Sequence, residues 1–158
     1  MTDLEKILNR SLQKHLQGEK HEHVLITHVP GHLHVSSTLQ RLQNLYSNCI
    51  TMLSHETEAS MLGTIVSTNR GPKVVEGTLS IYSDQILIIQ DADTLIDSVP
   101  FLEILKSGKV HKVLVGGEIN FEHNCTLWLV ACLRKNPPTI FTQVADDEEL
   151  LEVRVHDS

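Results

Sequence analysis

Apolar and polar positions recur along this chain with two periods, and the switches between them divide it into elements. At the start, Leu4, Ile7, Leu8 and Leu12 fall on one face of a helix over residues 2–16, and Thr2 and Glu5 have capping-box spacing. Residues 1–20 thus read as an N-terminal segment built on an amphipathic helix, ended by Gly18 and the polar run 19–23. Val24-Leu25-Ile26-Thr27 reads as a short strand, leading into a loop over 28–37 and a helix from Ser37 carrying Leu39, Leu42, Leu45 and Tyr46.

Cys49 to Leu53 reads as a second strand, followed by a polar stretch. Residues 64–68 and 78–82 alternate with period two around the turn signal Asn69-Arg70-Gly71-Pro72-Lys73, which predicts a long hairpin. The unbroken run Ile86-Leu87-Ile88-Ile89 predicts a central strand buried on both faces, tipped by Gln90, Asp91 and Asp93. Ser98 is placed to cap a helix through Phe101, Leu102, Ile104 and Leu105, with Pro100 tolerated in its first turn. A second hairpin is expected over 109–121, turning at Gly116-Gly117. Thr126 to Cys132 reads as another buried strand, Pro137-Pro138 as a loop, and Leu150 to Val155 as a last strand. The expected fold is α/β: a mostly parallel sheet with helices on both faces and two β-hairpin insertions, in one domain over 1–158.

Composition narrows the classes. The chain has 158 residues, enough for one substantial core, with 41% hydrophobic and 21% charged positions. No apolar run approaches the ~18–20 residues of a membrane span, and Met1 to Glu5 does not open a secretory signal. Cys49, Cys125 and Cys132 form no CxxC pair, which fits buried thiols in a reducing, intracellular compartment. A net charge of −7 argues against nucleic acid as the main partner and for another protein.

The chemistry sits at strand ends, because ligands of open α/β sheets bind outside the carboxyl ends of the strands. The order of elements, together with three segments, resembles the AAA+ core of the minichromosome maintenance (MCM) helicases over residues 24–158. Residues 76–84 resemble the family's EGGALVLAD stretch before Walker B. Glu103 to Cys125 matches its helix, pre-sensor hairpin and approach to the sensor strand, and Leu150 to Asp157 resembles the end of DLLFVVRD. The likeness is to the divergent, meiosis-associated MCM-domain proteins more than to the replicative subunits, and it implies a P-loop-type sheet; the family's helical lid after the core has no expected counterpart here, nor do its sensor-2 residues.

Carried over residue by residue, the likeness implies a degenerate ATPase. Against the family pattern GDPGxxKS, Pro30 and Gly31 match, His34 stands at the phosphate-binding lysine and Val35 at the Mg²⁺ hydroxyl, with Ser36 one residue late. In Walker B, Gln90 replaces the metal-binding aspartate and Asp91 the water-activating glutamate, while Asp93 matches the third acid. Cys132 takes the place of the sensor asparagine. No arginine finger is found, since the run Asp146-Asp147-Glu148-Glu149 precedes the last strand and Arg154 lies inside it. ATP hydrolysis by this chain alone is therefore not expected, and ATP with Mg²⁺ would be a cofactor only if the degenerate site still holds it.

Leu114 stands at the family's DNA-contacting lysine of the pre-sensor hairpin, with Lys112, Lys109 and His111 nearby, so these are the candidates for weak or indirect DNA contact. A solvated strand face is the competing reading and the one favoured by the acidic total charge. His21, His23, His28, His32 and His34 put five imidazoles in fourteen residues; a His-rich surface loop is favoured there over a metal site. The pair Asp91 and Asp93 also fits a receiver-like acidic pocket, a helix cap or a solvated tip.

The expected role is a non-catalytic, MCM-like scaffold or interaction subunit in DNA replication, repair or meiotic recombination. It would be nuclear, partnered by other MCM-like or AAA+ subunits or by repair and replication proteins, with no membrane. The alternatives are a residual DNA-dependent ATPase or helicase component completed in trans, with Asp91 as general base, and a clamp-loader-like non-catalytic subunit.

Overall fold

The computed structural model describes residues 2–29, 31, 33–132 and 150–155, with 150–154 described by their main chain. Helix α1 (Asp3–Leu16) opens on a complete capping box: Glu5 N–H donates to Thr2 Oγ1, and Thr2 N–H donates to Glu5 Oε2, each at 3.2 Å. Its i, i+4 stripe of Leu4, Leu8 and Leu12 is buried. Strand β1 (His23–His28) follows, then α2 (Leu33–Leu45), β2 (Ile50–Ser54) and α3 (Glu58–Leu62). A hairpin of β3 (Gly63–Thr68) and β4 (Gly71–Glu76) leads through α4 (Thr78–Ile81) to β5 (Ile86–Gln90). After a 3-10 turn (Leu95–Asp97) come α5 (Val99–Ser107), the hairpin β6 (Lys109–Leu114) and β7 (Gly117–Glu122), then β8 (Thr126–Cys132) and β9 (Leu150–Val155).

Five strands make one sheet in the order β2-β5-β8-β1-β9, and each neighbouring pair is parallel. Because side chains alternate across a strand, β1, β5 and β8 send apolar residues to both faces. Val24, Ile26, Ile86, Ile88, Trp128 and Val130 pack with α1 and α2. Leu25, Leu87, Ile89, Leu127, Leu129 and Ala131 pack under α3, α4, α5 and the hairpins. The fold is therefore α/β with helices on both faces and two antiparallel insertions, and no helical lid is present among the described residues.

Two expected boundaries move. The return strand of the first hairpin is Gly71–Glu76, not 78–82, which holds the short helix α4. Gly77 explains the break: a Cβ there would lie 2.3 Å from Gly63 N and 2.5 Å from Met61 O, so the chain turns where only glycine fits. Helix α2 starts at Leu33 and not Ser37, so His34, Val35 and Ser36 belong to its first turn. The loop at Pro137-Pro138 and the acidic run 146–149 lie outside the described residues.

Candidate functional site

Five parallel strands end on one edge, and the turn before α2 meets them there. Strand β1 has β8 on one side and β9 on the other, while α2 carries the chain to β2 at the far edge. Such a reversal of winding direction is where α/β sheets open a crevice. Gly31, at φ +82°, lies in the turn that enters α2; Pro30 and His32 fall outside the described residues. His34 is half-buried, and its Nε2 lies 3.4 Å from Thr2 Oγ1. Val35 is buried against the core shared with α1, so the position matched to a Mg²⁺ hydroxyl does not face the crevice. Ser36 is exposed.

At the tip of β5 each polar group has an internal partner. Gln90 Nε2 donates to Met52 Sδ at 3.0 Å. Asp91, whose main chain is left-handed at φ +54°, sets Oδ2 3.3 Å from His55 Nε2, itself left-handed at φ +57°. Asp93 Oδ1 accepts from the Cys132 N–H at 2.9 Å, tying the end of β5 to the end of β8 rather than capping a helix. Cys132 is exposed, unlike the buried thiol expected of it, because it ends β8 beyond the cover of the helices. Its pKa is raised, first by desolvation, then by the charge of Asp93 and its hydrogen bond, and by Asp91. A thiol held protonated between two carboxylates is a poor nucleophile. Cys125 is buried as expected, and burial pushes its thiol up to about 11.

The basic residues of the second hairpin are not brought together. Along β6, Lys109, His111 and Val113 point outward, whereas Val110, Lys112 and Leu114 take the inward face, with Val110 buried and Leu114 packed on the core. Lys109 and Lys112 therefore sit on opposite faces, and His111 Nε2 is bound by Glu118 across the hairpin. A single cationic stripe does not form from them. Arg154 lies in β9, with its Cα opposite Thr27.

At the opposite edge of the sheet, four histidines form a row that spacing along the sequence did not reveal. The ring centroids of His15 and His21 are 5.6 Å apart, those of His21 and His23 6.1 Å, and those of His23 and His123 6.4 Å. His23 is buried, not part of a surface loop: its Nδ1 accepts from Leu127 N–H at 3.1 Å. Desolvation, then the neighbouring His123 and His21, lower its pKa to about 3. His21 is lowered by desolvation and by His15 and His123, and His123 chiefly by desolvation. Thr126 Oγ1 joins the outer pair, 2.9 Å from His15 Nδ1 and 2.7 Å from His21 Nδ1. His15 Nε2 lies 2.9 Å from the carbonyl of Asp84, which makes it the donor there. The signal that would have found this row is tertiary: α1, β1 and β8 converge there.

Among the described residues, no three His, Cys, Asp or Glu side chains are grouped to hold a metal ion. No helix among them is long and apolar enough to cross a membrane. No protein-family model matches the chain, and no curated protein matches it.

Proposed function

We propose that this domain is a catalytically degenerate, MCM-like AAA+ module that works as a scaffold or interaction subunit in nuclear DNA replication, repair or meiotic recombination. One observation carries the non-catalytic half of the reading. At the edge where a P-loop protein would hold nucleotide, the groups are tied to the protein itself: His34 to Thr2, Gln90 to Met52, Asp91 to His55 and Asp93 to the Cys132 amide. Phosphoryl transfer is almost entirely positioning plus cationic stabilisation of the phosphates. Here an imidazole and a neutral amide stand at the positions matched to the lysine and the metal-binding aspartate. The parallel sheet with a crevice at its reversal point and the two inserted hairpins support the MCM-like half, together with the three family-like segments.

The test is equilibrium binding of ATP to the purified chain with and without Mg²⁺. The expected result is no saturable binding up to about millimolar nucleotide, a free energy no better than ~4 kcal/mol. Micromolar, Mg²⁺-dependent binding that His34→Ala abolishes would overturn the pseudo-enzyme reading. Asp91→Asn separately tests completion in trans: it leaves the chain's contribution to a reconstituted partner assembly unchanged on the present reading, and abolishes turnover if Asp91 is a general base.

A further inference from the structure

A cavity of about 240 Å³ opens between the two hairpins, lined by Leu62, Ser80 and residues 74–77 and 118–121. Seven of the ten lining residues come from β4 and β7, the others being Leu62 of α3, Gly77, and Ser80 of α4, and none belongs to β3 or β6, the strands with which β4 and β7 pair. The cavity therefore borders β4 and β7 and not the strands that pair with them. Side chains alternate across a strand, so three successive residues of β4 and four of β7 can all face one cavity only if their main chain lines it too. β4 and β7 each have a ladder partner on one side only, and an unpaired strand edge is a template for another strand.

Size and charge narrow the occupant. The volume is below the ~300 Å³ at which small-molecule sites begin, and suits one large side chain. Of the lining residues, Leu62 and Ile119 are buried, while Val74 and Val75 remain 51% and 41% exposed. Glu76 is exposed, with no ion pair among the described residues, and the ion pair of Glu118 on the other strand is with His111. Carboxylates lining the cavity repel a phosphate backbone and attract lysine or arginine.

We propose that the cleft between the hairpins docks an extended segment of a partner protein. The segment adds a strand to the free edge of β4, seats one large apolar side chain against Leu62, Ile119 and Phe121, and sets a basic side chain on Glu76. This site is separate from the carboxyl-end crevice, so it stands or falls independently of the ATP measurement.

The probe is a fluorescein-labelled nine-residue peptide of alternating valine and lysine with a central phenylalanine, titrated with the full chain by fluorescence anisotropy. The expected result is saturable binding that Glu76→Lys weakens by about tenfold. A peptide with glutamate in place of lysine should then bind the variant better than the native chain. N-methylation of alternate residues separates strand addition from simple side-chain burial: one set of positions abolishes binding and the other leaves it intact. No binding at about millimolar protein, or equal tolerance of both methylation sets, overturns the proposal. So does stronger binding of an oligothymidine of the same length, which would assign the cleft to nucleic acid. A dimer in analytical ultracentrifugation that Val74→Lys dissolves would assign the edge to a second copy, and would equally overturn it.

Discussion

Trp128 has no exposed surface, and its indole Nε1–H donates to Ser11 Oγ at 2.9 Å, while that hydroxyl donates to the Glu22 carbonyl at 2.6 Å. One buried serine therefore satisfies a strand and the start of the next on behalf of α1. Ser11→Ala removes both bonds without opening much space and leaves an N–H and a carbonyl unsatisfied in the core. Loss of about 2 kcal/mol is expected, each orphaned group costing roughly 1–3 before relaxation. Urea unfolding followed by the fluorescence of the chain's only tryptophan measures it. Gly77→Ala is more severe for a different reason. Gly77 has ordinary extended backbone at φ −90°, so conformation is not at issue. The added methyl would meet main-chain atoms of Gly63, Met61 and Leu62 at 2.3–2.6 Å, and main chain cannot rotate away. A loss of more than about 3 kcal/mol, or failure to accumulate folded protein, is expected from overpacking against backbone; a midpoint within experimental error of the native one would show that the hairpin base can shift.

Among the elements, α5 has a cap that also links it to another helix. Ser98 Oγ accepts from Phe101 N–H at 3.3 Å and donates to Glu58 Oε2 at 3.0 Å, joining α5 to α3. Ser98→Ala should cost about 1–1.5 kcal/mol, more than a cap alone, because the link to α3 goes with it. A double cycle with Glu58→Ala, which removes the acceptor, separates the two shares, and full additivity would show that the α3 link contributes nothing. This cap was legible in the sequence, as were α1, β5, β8 and the second hairpin, since each combines a strong period with a clear stop. The first hairpin's return strand was not. Thr78-Leu79-Ser80-Ile81-Tyr82 has strand-like alternation, but it buries only Thr78 and Leu79, within one helical turn after Gly77. The exposed 71–76, with Pro72 near its start, carries no burial pattern to read because it is an edge strand packed on one side only. The carboxyl-end residues were legible as a set because strand tips follow directly from strands. Their partners were not: His55, Met52 and Thr2 reach Asp91, Gln90 and His34 from other elements, and no local pattern encodes such pairs.

For the molecule as a whole, the histidine row couples folding to protons. Charging His23 would remove the acceptor used by Leu127 N–H, and the groups facing the row offer little compensation. His15 and His21 come from α1 and the loop after it, His123 from the loop before β8, the carbonyls of Ile104 and Leu105 from α5, and Asp84 from the loop before β5. Asp84 is the one carboxylate among those contributions, and three of the imidazoles have lowered pKa values. In the unfolded chain an imidazole takes its proton near pH 6.5, whereas folded His23 does so only at about 3. The unfolded state therefore binds more protons below pH 6.5, and stability is full above that pH and falls as the solution is acidified toward the folded value. Between pH 6.5 and 5, His23 alone removes about 1.6 kcal/mol, and His21 and His123 act in the same direction. The slope below pH 6 should approach that of one proton from His23, about 1.4 kcal/mol per pH unit, with His21 and His123 adding in the same direction. Urea midpoints at constant ionic strength across pH 5–8 measure this slope. His23→Asn, whose Oδ1 still accepts from Leu127, should flatten it by close to one proton while costing stability at pH 8. A midpoint that does not move between pH 7 and 5 would mean that the row is already charged in the folded protein, and that α1 and β8 are joined there by something other than neutral imidazoles.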